Sequence, residues 1–550
     1  MTESRVLIIG AGLAGMTAAH YLAEWGAYAV LADSAPHIGG AFLLLDHTFT
    51  TDSCGLCIAL PRQPSYCPTL ASELHPHITP LTCTTLAALE GEAGRFVATL
   101  RCAPRYVDPD RCDNCGACAA ACPATRLHPY DSSQHRLFQA GAAIYPPPPR
   151  AVPFAYALDP QACTRCGACV DACPRGAIDL DAAPREERVE VGAVLLAPGF
   201  APFDAARAGE FGWGRCANVV TNLQFERMLN RSGPTGGRVL RPSDGQAPRR
   251  IAFIHCVGSR NAALGRPYCS TSCCMITARQ VGLVKEIIPE AEVTAFTMDV
   301  RTAGKGYEEY FQRVAALPGV AYRREMVSAV QEVPGRRSLR LLAPGVWEET
   351  DLLVLAVGLG PADGVRELAA CAGVALDEHG FILPGDDGPG TTSRPGVFAA
   401  GAGLAPADVP ETVTQAAAAA ALAAQALADS LSSSMSGRDT PSSSPGGEDR
   451  SSYSPAGRDS PCSPSPPLPR FPASPLPCSP SPLLPLSPEG VNSPFSSPPE
   501  GGDKRGGEDL ADQPPRIGVF FCTCHGTLEG ALDLPALVVA AQPLRGVAHV

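Results

Sequence analysis

The chain begins with a pattern of apolar positions that predicts a strand, a helix and a second strand. Val6 to Ile9 form a short apolar run that ends at a glycine-rich turn, and Met16 to Trp25 fit a helix. Tyr28 to Ala32 form a second short apolar run. Strands that alternate with helices indicate a parallel sheet, so the sequence predicts an α/β fold.

Three later segments continue this pattern. Val191 to Leu196 and Ile251 to Ile254 are apolar runs of strand length, and Ala416 to Ala428 is a mostly alanine helical stretch. The alanine stretch contains Gln425 and is well short of the roughly 20 apolar residues that a bilayer crossing requires. The sequence therefore predicts no membrane span.

The composition changes abruptly after Asp429. Residues 430–515 are dominated by Ser, Pro and Gly, with repeated Ser-Pro pairs, which predicts a disordered linker that cannot bury a core. Apolar residues return at Arg516, where a predicted strand enters a Cys-x-Cys-His loop with Cys522 and Cys524 as candidate ligands. Residues 516–550 are too few for a domain, so we expect a short C-terminal α/β fragment.

Composition also restricts the compartment and the partners. The 550 residues include 23 cysteines in clustered runs, which is typical of a redox protein in a reducing compartment rather than of a disulfide framework. Met1 leads almost directly into the first strand without a signal-peptide pattern, so we expect a cytoplasmic protein. The net charge of -12 argues against nonspecific binding of nucleic acid.

Two cysteine runs of identical spacing predict a pair of [4Fe–4S] clusters. Each reads Cys-x2-Cys-x2-Cys-x3-Cys-Pro, the bacterial ferredoxin run in which the fourth cysteine ligates the other cluster. Zinc ribbons also use Cys-x2-Cys pairs, but zinc has no use for the third cysteine or for the repetition. The predicted ligand sets are Cys112, Cys115, Cys118 and Cys173 for one cluster and Cys163, Cys166, Cys169 and Cys122 for the other.

The turn after the first strand predicts a dinucleotide site. Gly10, Gly12 and Gly15 form a GxGxxG motif, and Asp33 ends the second strand. Glycines let the backbone approach a pyrophosphate, the helix N-terminus stabilises its charge, and the acid accepts hydrogen bonds from a ribose. The following pair, Gly39 and Gly40, resembles the loop of two-dinucleotide-binding flavoproteins, which implies FAD rather than NAD.

Three segments in the middle of the chain resemble the HdrA-like family of FAD and iron–sulfur proteins of heterodisulfide reductase: Phe253 to Arg260, Pro267 to Cys274 and Asp299 to Glu309. The resemblance covers residues 5–428, and the C-terminal fragment resembles the N-terminal opening of the same family. It implies a thioredoxin-reductase-like FAD fold with an inserted 2[4Fe–4S] ferredoxin domain. The predicted parts are 1–102 (first half of the FAD domain), 103–186 (ferredoxin-type insert), 187–429 (remainder of the FAD domain), 430–515 (linker) and 516–550 (fragment).

The resemblance implies further contacts to the flavin. Gly199 and Gly401 lie in turns that approach FAD in such proteins, although Pro198 replaces the usual threonine and Ala402 stands where an acidic residue is common. Lys305 lies between two glycines, which would let its loop approach a ring closely. We expect Lys305 to lie beside the flavin N5 and to stabilise reduced flavin; a solvated loop lysine is the alternative.

Two more cysteine groups are candidate ligands. Cys54, Cys57 and Cys67, with Cys83 as a further candidate, are predicted by the resemblance to hold a third cluster near the flavin, with zinc or a buried thiol pair as alternatives. The second group follows the strand Ile251 to Ile254, where a second GxGxxG would bind a nicotinamide nucleotide, and its ligand and structural roles stay equally open. It consists of Cys256, Cys269, Cys273 and Cys274.

The predicted function is electron transfer, in which FAD takes electron pairs and the clusters carry single electrons. The resemblance implies partner subunits of a heterodisulfide-reductase-like complex, ferredoxin, and a hydrogenase or formate dehydrogenase. It also implies flavin-based bifurcation between ferredoxin and a disulfide. Two alternatives are a passive relay in a membrane-linked sulfur-metabolism complex and an NAD(P)H-dependent oxidoreductase similar to the small subunit of glutamate synthase.

Overall fold

The computed structural model describes residues 5–49, 53–61, 66–126, 141–436, 517–518 and 547–549. The chain forms two compact units, Met1–Asp439 and Thr440–Val550. The predicted linker beyond residue 436 and the candidate ligands Cys522 and Cys524 lie outside the described residues. Across the ranges that are described, no helix combines the length and the apolarity needed to cross a membrane.

Helices and strands alternate along the first unit, as the apolar pattern predicts. The helices are α1 (Leu13–Glu24), α2 (Pro68–Leu74), α3 (Ala117–Ala121), α4 (Ala168–Ala172), α5 (Asn222–Leu229), α6 (Cys273–Ile287), α7 (Tyr307–Ala315), α8 (Val365–Ala372) and α9 (Val409–Ser436). The strands are β1 (Arg5–Ile9), β2 (Tyr28–Ala32), β3 (Ile78–Leu81), β4 (Thr84–Glu92), β5 (Arg95–Cys102), β6 (Thr125–Arg126), β7 (Gly141–Ala142), β8 (Ile144–Tyr145), β9 (Ala157–Leu158), β10 (Arg185–Val191), β11 (Ala193–Leu196), β12 (Phe200–Pro202), β13 (Val219–Thr221), β14 (Arg250–Val257), β15 (Glu292–Phe296), β16 (Val320–Arg323), β17 (Ala329–Glu332), β18 (Leu339–Ala343), β19 (Val346–Thr350), β20 (Leu352–Val357), β21 (Leu359–Pro361) and β22 (Val397–Ala399). In the second unit, β23 (Ile517–Gly518) pairs in parallel with β24 (Val547–His549).

The first sheet is parallel and has the strand order β22-β11-β1-β2-β3. Strand β1 is buried on both faces, which explains its unbroken apolar sequence. Val6 and Ile8 pack into a core that includes α1 and α9, whereas Leu7 and Ile9 pack into a core with β4, β5 and α8. The predicted strand-helix-strand unit is confirmed, and helix α9 continues to Ser436, past the predicted start of the linker at residue 430.

The ferredoxin-type insert leaves and re-enters the fold at one point. Strand β5 ends at Cys102 and pairs antiparallel with β10, whose first residue, Arg185, lies opposite Cys102. The chain between them contains the two short helices α3 and α4, which pack against each other. Because the two strand ends are neighbours, the insertion extends the sheet β10-β5-β4 without breaking its pairing.

A second parallel sheet has the order β13-β20-β14-β15-β16. Its core is formed with α5, α6 and α7 on one side and with the antiparallel sheet β17-β18-β19 on the other. The pairing of β14 with β20 shifts register between Ile254 and Val257, where Cys256 has a φ of 59°. The irregular end of β14 therefore directs its last residues away from the regular ladder.

Candidate dinucleotide cavity and thiol clusters

A cavity of about 350 Å³ lies between the turns of the first sheet and helices α5 and α6 of the second. Gly10, Gly12, Gly40, Gly199 and Asp33 all line this cavity, as predicted for a dinucleotide site. Three other predicted residues, Gly15, Gly39 and Gly401, are not among the residues that line it. The sequence motif therefore supplies both the wall and the turns behind the wall.

Close approach of the backbone explains why the turn needs glycine. Gly10 has a φ of 102°, and a Cβ atom there would lie 2.1 Å from the carbonyl oxygen of Ala197. A Cβ atom on Gly15 would lie 1.8 Å from the carbonyl oxygen of Gly10. Gly12, in contrast, has only the Cα of Gly40 within reach, at 4.0 Å, so its face is open to the cavity. A pyrophosphate at the N-terminus of α1 fits this opening.

Asp33 joins the two strands that carry the turn. Its Oδ2 accepts a hydrogen bond from the backbone N–H of Ala11 (2.6 Å), and its Oδ1 accepts one from Ala35 (2.8 Å). Burial raises the pKa of this carboxyl group, and the two backbone donors oppose the rise. Each oxygen keeps an unused lone pair toward the cavity, which suits the hydroxyl groups of a ribose.

The opposite wall comes from the second sheet and carries polar residues that no sequence motif marked. Asn222 and Glu226 lie on α5, and Arg279 and Gln280 lie on α6. Gln280 Nε2 donates to the carbonyl oxygen of Asn222 (2.9 Å) and to Glu226 Oε2 (3.1 Å). These residues are far from the glycine motif in sequence, and a polar residue on an otherwise apolar helix face is the signal that could have found them.

Lys305, the predicted flavin-side cation, is exposed and is not among the residues that line the cavity. Its neighbour Gly304 packs against the ring of Tyr307, and the loop turns directly into α7. Tyr307 connects this loop to the cavity, since its hydroxyl donates to Asp408 Oδ2 at 2.9 Å. Arg279, which is 8% exposed, is the guanidinium in the cavity wall.

The eight cysteines of the two repeated runs surround two small cavities in the predicted exchange pattern. The first cavity is lined by Cys112, Cys115, Cys118 and Cys173. The second is lined by Cys122, Cys163, Cys166 and Cys169. In the part of the chain that the structure describes, no three Cys, His, Asp or Glu groups converge on a single-ion site.

Local geometry and burial suit these thiols to a cluster. Gly116 and Gly167 adopt left-handed conformations at the starts of α3 and α4, and the N–H of Ala177 donates to Cys173 Sγ at 3.3 Å. Burial raises the pKa of Cys118 to about 11 and raises that of Cys169. Such thiols become ligating thiolates only when a metal compensates the charge, so a cationic cluster core fits the set.

The third predicted set is not assembled as a group of four. Cys54 and Cys67 pack against the first core, and Cys57 is exposed on a short 3₁₀ turn. Cys83 instead lies in the turn between β3 and β4, where its thiol contacts the guanidinium of Arg105. Cys83 is therefore held by a different contact from the other three cysteines.

At the end of β14, three cysteines come into contact. Cys273 shares hydrogen bonds with Cys256 and Cys274, which lower the pKa of Cys256 to about 7 and that of Cys274 to about 4. His255 also contacts Cys274, while Cys269 accepts a backbone hydrogen bond from Thr271 at 3.4 Å. The N-terminus of α6 begins at this group, a position that stabilises thiolates.

The same turn is closed to a nucleotide pyrophosphate. A Cβ atom on Gly258 would lie 2.0 Å from the ring of Phe203, so that ring fills the space beside the turn. This packing agrees with the expectation that the second sheet does not bind a nicotinamide nucleotide at a glycine-rich turn.

Three family models match the chain. They describe an NAD(P)-binding Rossmann-like domain (residues 8–46), a 4Fe-4S dicluster domain (residues 111–178) and the pyridine nucleotide-disulphide oxidoreductases (residues 174–420). Among solved structures, the thioredoxin reductase of T. acidophilum aligns with a TM-score of 0.40 and 14% identity over 78% of this chain and 100% of that chain.

Curated relatives match most of the chain. The HdrA protein of the H(2):CoB-CoM heterodisulfide,ferredoxin reductase of Methanothermobacter marburgensis is 37% identical over 77% of this chain and 64% of that protein. The corresponding iron-sulfur subunit of the CoB–CoM heterodisulfide reductase of Methanocaldococcus jannaschii is 40% identical over 76% of this chain and 63% of that protein. The chain thus spans less than two thirds of the length of these relatives. Over about three quarters of its length it is a relative of the HdrA proteins of heterodisulfide reductase, with an FAD-type oxidoreductase fold and a 4Fe-4S dicluster domain.

Proposed function

We propose that this chain is the FAD- and [4Fe–4S]-dependent electron-transfer subunit of a heterodisulfide-reductase-like complex. The observation that carries the proposal is that one compact unit contains both the dinucleotide cavity and two cavities that are each lined by four cysteines. FAD exchanges electrons in pairs or singly, and [4Fe–4S] clusters carry one electron each. Together they convert a pair into single electrons.

The residues around the cavity divide the work of holding FAD. Gly10 and Gly12 admit the pyrophosphate to the N-terminus of α1, and Asp33 accepts hydrogen bonds from the ribose. The wall formed by α5 and α6 excludes water from the other side and supplies a guanidinium from Arg279. A buried positive charge near the ring favours reduced flavin, which is the role predicted for Lys305 from the sequence.

The insert is attached directly to the loop that closes the cavity. Ile38 N donates to the carbonyl oxygen of Val152 (2.9 Å), just before the Gly39-Gly40 pair. The guanidinium of Arg150 donates to the carbonyl oxygens of Phe42 (3.3 Å) and Leu45 (2.7 Å), and both of these residues line the cavity. These contacts fix the clusters relative to the flavin, which supports electron transfer between them.

The finer parts of the proposal concern partners. Relatives are named as H(2):CoB-CoM heterodisulfide,ferredoxin reductase and as ferredoxin/F(420)H(2)-dependent heterodisulfide reductase subunits. We propose for this chain other heterodisulfide-reductase-like subunits, ferredoxin, and a hydrogenase or formate dehydrogenase as partners. Bifurcation between ferredoxin and a disulfide is the form of electron splitting that these partners would use.

The test is an anaerobic preparation of the full chain followed by flavin, iron and sulfide analysis. We expect one FAD and at least about eight iron atoms per chain, because two cubane clusters hold four each. Reduced chain should pass single electrons to a ferredoxin. A preparation that binds zinc in place of iron, or that binds no flavin after reconstitution, would overturn the proposal.

A further inference from the structure

Three carboxyl groups line the dinucleotide cavity, and two of them have evident structural roles. Asp33 binds two backbone N–H groups at the ribose end of the cavity. Asp408 accepts the hydroxyl of Tyr307 at 2.9 Å and so fixes the loop before α7. Glu226, on α5, is the third, and neither of these roles applies to it.

Glu226 is buried in a setting that keeps it protonated. The residue is 5% exposed, and burial raises the pKa of its carboxyl group, although hydrogen bonds from Gln280 and from the backbone of Asp46 oppose the rise. The nearby charged groups are directed to other partners. Arg227 donates to the carbonyl oxygens of Leu44 (3.2 Å) and Ser232 (3.1 Å), and Arg279 pairs with Glu286 at 3.7 Å.

A second titratable side chain connects Glu226 to solvent. His47 lines the same cavity and acts on Glu226 electrostatically. Its side chain is 19% exposed, and its Nε2 lies 3.9 Å from Asp46 Oδ2, which is more exposed. A proton can therefore pass from solvent through His47 to a carboxyl group that is itself shielded from water.

We propose that Glu226 exchanges a proton with bound flavin when the flavin changes redox state, and that His47 returns the proton from solvent. This inference rests on the proposed function, because it requires FAD in the cavity. On reduction, two electrons enter the flavin from the clusters or from a donor protein. The O–H bond of Glu226 breaks, an N–H bond forms on the flavin, and one solvent proton restores the carboxyl group through His47. Oxidation reverses each step.

The experiment compares Glu226→Gln with the wild-type chain, each loaded with FAD and clusters. Glutamine keeps the volume and still accepts hydrogen bonds from Gln280 and Asp46, but it has no acidic proton. The control is Glu290→Gln, which changes an exposed residue in the loop after α6. Flavin reduction by dithionite is followed by stopped-flow absorbance, and infrared difference spectra are recorded between the oxidised and reduced forms.

We expect the wild-type and control chains to show a band from a protonated carboxyl group that changes on reduction. Glu226→Gln should retain FAD, lose that band and reduce its flavin at least about tenfold more slowly, a modest share of what general acids contribute. An unchanged band and rate in a flavin-loaded Glu226→Gln chain would overturn the inference alone. A wild-type chain without flavin would overturn the proposed function instead.

A second variant keeps the inference testable if Glu226→Gln does not fold. His47→Gln should retain the infrared band, because Glu226 is intact, but proton uptake from solvent after flavin reduction should slow several-fold. A pH-indicator dye in weak buffer measures this uptake. Uptake at the wild-type rate would contradict the route through His47 and thereby the proposal.

Discussion

Individual residues decide how closely the backbone can approach a cofactor. Gly10 and Gly26 both have positive φ, 102° and 85°, but their surroundings differ. A Cβ atom on Gly10 would overlap the carbonyl oxygen of Ala197, whereas a Cβ atom on Gly26 would meet nothing within 4 Å. The two positions therefore separate the cost of a left-handed backbone from the cost of a lost close approach.

Replacing Gly10 with alanine should remove FAD and destabilise the fold by more than about 2 kcal/mol, because strain and overlap add. The matched control, Gly26→Ala, should cost about 1 kcal/mol, which is the effect of left-handed backbone alone, and should leave FAD bound. Flavin absorbance and urea unfolding measure the two effects. Equal losses in both variants would contradict the assigned role of Gly10.

A buried histidine makes stability depend on pH. The hydroxyl of Ser72 donates to the carbonyl oxygen of Pro68 (2.8 Å), so His20 Nε2 must donate to Ser72 Oγ (2.9 Å). Burial, followed by the charge of His75, lowers the pKa of His20 to about 4 from 6.5. Because the folded-state pKa is lowered, the stabilising contribution is complete above pH 6.5 and is lost as the pH falls toward about 4.

We expect His20→Asn to lose part of this pH dependence. Between pH 6.5 and 4 the wild-type chain should lose up to about 3 kcal/mol more unfolding free energy than the variant. His37, whose pKa is also lowered to about 4, keeps its share in both proteins. Urea unfolding at stepped pH values measures the difference, and parallel curves for the two proteins would contradict the burial of a neutral imidazole.

At the scale of elements, the two cysteine runs exchange their fourth members. Helices α3 and α4 pack against each other, so Cys122 at the end of α3 and Cys173 at the end of α4 each line the cavity of the other run. Each run alone supplies three neighbouring thiols. The pairing of the two helices completes both sets of four.

This arrangement predicts an exchange in the effects of substitution. Cys122→Ser should alter the EPR signal and potential of the cluster held by Cys163, Cys166 and Cys169, and Cys173→Ser should alter the other cluster. The control is Cys371→Ser, which lies on α8 outside both cavities. If each serine instead affected the cluster of its own run, the assignment of ligands would be wrong.

Local pattern was sufficient for some elements of the site and not for others. The strand Tyr28–Ala32 and the two thiol sets follow from short-range spacing, because their geometry is set within a few residues. Glu226 and Gln280 reach the cavity only because two parallel sheets pack face to wall, a long-range arrangement that periodicity does not encode. Lys305 lies outside the cavity because its two glycines serve a turn into α7 instead of an approach to the flavin.

At the scale of the whole molecule, the first unit combines a two-electron site with two one-electron sites. Arg105 marks their junction: its guanidinium donates to the carbonyl oxygen of Pro36, in the loop after Asp33, and interacts electrostatically with Cys112. The cavity loop and the insert are thus joined by a buried cation as well as by backbone hydrogen bonds. Such fixed contacts suit electron transfer, which depends on constant separation between centres.

The most direct test of a combined flavin and cluster protein is an anaerobic spectroelectrochemical titration of the full chain, with flavin absorbance and cluster EPR recorded at each potential. We predict a flavin transition together with two distinguishable [4Fe–4S] signals in one preparation, and loss of one signal at a time in the Cys122→Ser and Cys173→Ser variants. A preparation with flavin but without a cubane signal, or with clusters but without flavin, would contradict the proposed electron transfer between them.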